Sequence, residues 1–146
     1  MKKIYIIFSI LIVTLLSGCN GFPNGTFSQP EGKIILNGEQ YTMISSNFEW
    51  DEDDVKITEI RSRDLNKLAD DFETIDVEKK DILDLEIEKN PSFITITKQN
   101  EDGSIDNVEI NDHKITMPSK EGYYIYELKV VWDKGKETFV FDVNVK

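Results

Sequence analysis

The chain holds one cysteine and one histidine in 146 residues. A lone cysteine excludes an intramolecular disulfide and any thiolate cluster able to hold zinc or an iron–sulfur centre. The lone histidine, His113, stands between Asp112 and Lys114 and reads as part of a polar turn rather than as a base or metal ligand. The sequence also lacks the phosphate-loop, HExxH, GxSxG and CxxC patterns, so it offers no recognisable nucleophile, metal-hydrolase or redox constellation and no cofactor site. Positive charge is scarce as well: 17 Lys and Arg face 28 Asp and Glu, for a net charge of −11. That balance disfavours nucleic acid and anionic lipid headgroups as partners and raises the local cation concentration, although its commonest effect is solubility.

The one long apolar run is N-terminal. Ile4 to Leu16 is interrupted only by Ser9 and Thr14, follows Lys2 and Lys3, and leads into Ser17, Gly18 and Cys19. A membrane-spanning helix needs about 20 such residues. The shorter run, with a basic start and a small-residue end, predicts a signal peptide over 1–18 that is cleaved. Leu16, Ser17, Gly18 and Cys19 resemble the bacterial lipobox. The resemblance implies a diacylglyceryl group on the Cys19 sulfur, fatty chains such as palmitate, and attachment to the outer face of a bacterial cell membrane. Each buried methylene contributes about 0.8 kcal/mol, so two or more chains suffice for a stable anchor.

Cleavage would leave 128 residues with 15 basic and 28 acidic side chains, a net charge of −13 and the length of one domain. Gly21, Pro23, Asn24, Gly25, Ser28, Pro30 and Gly32 suit neither helix nor strand, and they predict a flexible tether over 19–32. The domain then occupies 33–146. Its pattern is mostly period two. Asn37-Gly38 and Asp102-Gly103 sit between apolar runs as hairpin turns do. Phe48 and Trp50 alternate around Glu49, and Leu83, Leu85 and Ile87 alternate with acids. Tyr124, Tyr126, Leu128, Val130 and Trp132 share one face of a strand that returns, after a turn near Asp133–Lys136, as Phe139, Phe141, Val143 and Val145. One helix is expected at Asp64–Phe72, where Leu65, Leu68, Ala69 and Phe72 form a stripe and Ser62 or Asp64 can cap it. So short a helix needs support from packing and would close one end of a β-structure. The expected fold is mainly β, an antiparallel immunoglobulin-like sandwich of about seven strands, with a small barrel as the alternative.

Pro118, Gly122, Tyr124, Tyr126, Trp132, Gly135, Phe139, Phe141, Val143 and Val145 form a hairpin pattern of about 30 residues. Together with the lipobox, it resembles small lipoproteins of Gram-positive bacilli. The resemblance implies an immunoglobulin-like fold and carries no catalytic residues with it. Three candidate sites follow from the residues themselves. The other face of the same strand, with Tyr123, Ile125 and Val131, is a candidate binding patch, or else is covered by N-terminal strands. The acidic run at Asp51, Asp53 and Asp54 is a weak candidate for a divalent cation. Asn100 to Glu109 partly matches a calcium loop, but Lys98 holds the first ligand position and a hairpin turn explains the segment better. The reading is a noncatalytic binding module anchored through Cys19, with an envelope protein or small ligand as partner. The alternatives are a cation-responsive accessory or sensor subunit and, behind it, a cell-wall hydrolase.

Overall fold

A computed structural model describes residues 27–146, which form two packed sheets and one short helix. The strands are β1 (Gly32–Leu36), β2 (Glu39–Thr42), β3 (Ile44–Glu52), β4 (Val55–Ile60), β5 (Ile75–Val77), β6 (Ile82–Ile87), β7 (Phe93–Gln99), β8 (Ile105–Val108), β9 (Lys114–Thr116), β10 (Gly122–Trp132) and β11 (Gly135–Val145), with helix α1 (Leu65–Asp70) between β4 and β5. The smaller sheet has the order β2-β1-β6-β9. The larger runs β4-β3-β11-β10-β7-β8, and β5 joins it beside β11. Pairing is antiparallel except for β5, which runs parallel to the last residues of β11, where the ladder with β3 has ended.

The mainly β sandwich with one short helix is the fold that the alternation predicts. It carries eleven strands rather than about seven. The extra ones are short segments such as β2, β5, β8 and β9, whose three or four residues are too few to show a clear period. The Asn37-Gly38 turn joins β1 to β2 with φ of 52° and 87°, the left-handed conformations that a tight two-residue hairpin turn demands. Asp102-Gly103 lies in the turn between β7 and β8, where Asp102 Oδ1 accepts from the Ser104 amide at 2.9 Å. The partial calcium-loop match is therefore a hairpin turn.

The inner faces meet in one core. Tyr124, Tyr126, Leu128, Val130 and Trp132 from β10 and Phe139, Phe141, Val143 and Val145 from β11 all enter it, as their spacing predicts. Leu83, Leu85, Ile34 and Ile115 face them from the smaller sheet. At the start of β11, Gly135 lies side by side with Trp50 of β3 in the ladder. A Cβ there would stand 2.4 Å from the Glu49 carbonyl oxygen and 2.5 Å from the Trp50 ring. Backbone cannot yield as a flexible side chain does. Gly135→Ala is expected to lower stability by about 1–3 kcal/mol, read as an earlier chemical-denaturation midpoint with an unchanged slope.

Helix α1 differs from expectation in its place. It begins at Leu65 because the Asp64 carboxylate caps it, accepting from the Asn66 amide at 3.1 Å. Rather than closing an end of the sandwich, it lies on the outward face of the larger sheet, where Leu68 and Ala69 pack on Ile125 and Val140. Phe72, just beyond it, turns into the main core against Phe141. The predicted tether also ends sooner than Gly32. Phe27 to Glu31 run against the domain, and Gly32 already belongs to β1.

Candidate binding surface

Strand register places the outward side chains of the larger sheet in transverse rows. One row reads Phe93, Val131, Lys136, Glu49 and Thr58 from β7 to β4. The next reads Thr95, Lys129, Thr138, Asn47 and Ile60. Farther along, the rows hold Ile125, Val140 and Asp142, which lie beneath α1 and the chain that follows it. The helix thus divides this face into a covered half and an open half.

The candidate patch is divided with it. Ile125 is 3 % exposed, buried by the helix rather than by N-terminal strands. Tyr123 is half-buried beside it, with its hydroxyl donating to Asp142. Burial and the neighbouring carboxylate both raise the tyrosine's pKa and keep it protonated. Val131 alone of the three is on the open half, at 40 % exposure. Its partners there are different residues: Phe93, directly paired with it and 62 % exposed, and Ile60, 60 % exposed. Sequence alternation pointed to the right strand face but could not say which part another element would cover.

Lys129, Lys136 and Arg63 join Val131 and Ile60 around a shallow groove on this open half. Lys136 pairs with Glu49 at 3.1 Å and Lys129 with Glu127 at 3.6 Å, both on the surface and so of small energetic weight. Asn47 lines the same groove, and its Oδ1 is buried without a hydrogen-bond partner. On a chain of net charge −11, the groove gathers Arg63, Lys129 and Lys136 with Glu49 beside exposed Val131 and Ile60, and Phe93 adjoins Val131 on the same face.

Two acids not singled out from the sequence, Glu137 and Asp142, are buried. Glu137 points to the inner side of the larger sheet, 2 % exposed, and accepts from Gln29 Nε2 at 2.7 Å. Burial pushes its pKa up to about 7 despite the stabilising bonds from Ser45 and Gln29, and nearby Glu59 adds to the rise. Asp142 lies on the opposite face, accepting from Thr74 Oγ1 at 3.1 Å and from Tyr123. Burial raises its pKa too, against the pull of those two hydroxyls. Each acid keeps one oxygen without a partner. Since they point to opposite faces of β11, five residues or about 17 Å apart along the strand, they cannot act as a facing pair on one bond.

The acidic run is not drawn together. Asp51 lies within β3 and pairs with Lys56 at 3.4 Å, while Asp53 and Asp54 form the turn to β4. Among the described residues, no three His, Cys, Asp or Glu side chains converge as a metal site. His113 occupies the exposed turn before β9 with φ of 58°. Leu16, Ser17, Gly18 and Cys19, the signal peptide and most of the tether lie outside the described residues. Comparisons with protein-family models, curated proteins and solved structures gave no significant match to this chain.

Proposed function

We propose that this chain is a lipid-anchored binding module on the outer face of a bacterial membrane, engaging an envelope partner through the open half of its larger sheet without catalysing a reaction. The anchor reading rests on the order of residues from Lys2 to Cys19. The binding reading is carried by one observation: exposed Val131 and Ile60 line a groove with Arg63, Lys129 and Lys136, and exposed Phe93 pairs with Val131 beside it. Exposed apolar side chains rimmed by polar and charged groups mark interaction surfaces more often than scattered ones do. A fitting partner presents apolar and acidic groups side by side, with opposite charge hastening encounter.

The test places a photo-crosslinking amino acid at Val131 in intact cells and, as control, at exposed Ile105 on β8. A discrete adduct is expected from position 131 alone, lost when Lys129→Glu and Lys136→Glu are added. No adduct, or identical adducts from both positions, would sink the binding reading. Cys19→Ala in the same cells should abolish fatty-acid labelling, which checks the anchor separately.

A further inference from the structure

Opposite the outward face, the flank of the core beside β3 is closed by the chain's own N-terminal arm, held as a peptide ligand is held. The arm is extended, and its side chains alternate. Phe27 points in, its ring centroid 5.9 Å from Phe48 and 5.4 Å from Trp50. Ser28 points out, and its carbonyl accepts from Lys89 Nζ at 2.5 Å. The same ammonium lies 4.4 Å above the Phe27 ring, a cation–π contact that favours an aromatic residue at this position. Gln29 points in again, and its single amide nitrogen reaches both Glu137 Oε1 at 2.7 Å and Ser45 Oγ at 3.0 Å. Pro30 is buried behind it.

These contacts select for chemistry. A glutamate in place of Gln29 would set carboxylate against carboxylate, and an asparagine would fall about one methylene short. Gln29 itself lines a recess with Ser45, Ser46, Glu59, Ile60 and Arg61, and its acceptor Glu137 retains a second, buried oxygen without a partner. Such an acceptor is costly unless something donates to it.

We propose that the flank of β3 contacted by this arm is a peptide-recognition site, occupied in cis by Phe27–Pro30, for extended segments that carry an aromatic residue two places before a glutamine. The arm competes for it at the millimolar effective concentration typical of a short connection, so a ligand in trans binds well only when the arm is weakened or withdrawn. Its aromatic contacts, to Phe48 and Trp50, lie on the other side of the sheet from Val131, and the proposal does not depend on the outward-face reading.

The probe is a synthetic peptide of residues 24–32, Asn-Gly-Thr-Phe-Ser-Gln-Pro-Glu-Gly, titrated against the full chain in detergent while tryptophan emission is followed. With Phe27→Ala and Gln29→Ala together, the arm gives up its two inward anchors. This variant should bind the peptide saturably and at least tenfold more tightly than wild type, and a peptide with alanine for the phenylalanine should not bind. Gln29→Glu, which leaves the aromatic nest filled, is the second test and should bind several-fold more tightly than wild type. If the variants keep a native near-ultraviolet spectrum and neither binds the peptide better than wild type, the proposal fails.

Discussion

Glu137→Gln should make the protein more stable at pH 8 by about 2 kcal/mol and leave it nearly unchanged at pH 4. The free acid has an ordinary pKa of 4.5, whereas burial holds it near 7 in the folded chain. Between those values the folded state binds more protons than the unfolded one, so wild-type stability falls as pH rises from about 4.5 to about 7 and is level above. A shift of that size at roughly 1.4 kcal/mol per pKa unit gives an upper bound, lowered here because solvent reaches the adjoining recess. Glutamine keeps an acceptor for Gln29 and carries no charge. Melts at a series of pH values should therefore show a shallower slope for the variant. A residual slope of the same sign should persist, because burial also raises the pKa of Asp142. An unchanged slope would show that Glu137 is ionised in the folded protein at no cost.

Phe141→Ala should be the most damaging single truncation of the core, at about 3–5 kcal/mol. Its ring stacks on Tyr126 at 4.7 Å and 6°, and it meets Phe72 edge-on at 6.2 Å. It is fully buried in the strand that pairs with β10 and β3. The tyrosine loses its stacking partner, and the segment after α1 loses the ring that fixes it to the sheet. Domains of this size hold about 5–15 kcal/mol in all, so the melting point should fall by about 10–20 °C. Phe93→Ala is the control, a residue of the same kind left 62 % exposed, with an expected change below about 0.5 kcal/mol. Equal losses at both positions would show that the packing described here is wrong.

Residues of the C-terminal hairpin declared their own structure because a two-residue period survives whatever packs on the strand. Tyr124 to Trp132 and Phe139 to Val145 enter the core as that period requires. Asp64 and the stripe behind it likewise marked the helix, since capping and side-chain spacing are local properties. Where α1 would lie was not local. Nothing near Tyr123, Ile125 or Val131 tells which of them a helix ending at Asp70 will cover, and the patch is divided for that reason. Asp142 is hidden for the same cause. Glu137 differs, because it shares the inward parity of Phe139, Phe141, Val143 and Val145. A charge at the inward parity of an otherwise apolar strand is itself a signal, and it was there to be read. The arm's early docking was masked by composition: proline and serine at 28–30 suggest a linker, yet Phe27 and Gln29 between them carry the contacts.

The two longest strands, β10 and β11, lie at the middle of the larger sheet and are the last to appear along the chain. Synthesis therefore delivers the margins of that sheet before its centre. Strands β3 and β7 are not linked until β11 and β10 arrive between them. A nascent chain stopped before Gly122 holds every strand of the smaller sheet but only the two margins of the larger one, β3–β4 and β7–β8. Non-local pairing of this kind slows folding, since loops must close before contacts repay them. The larger sheet is thus joined into one by the β10–β11 hairpin, which links two halves that are each paired on their own.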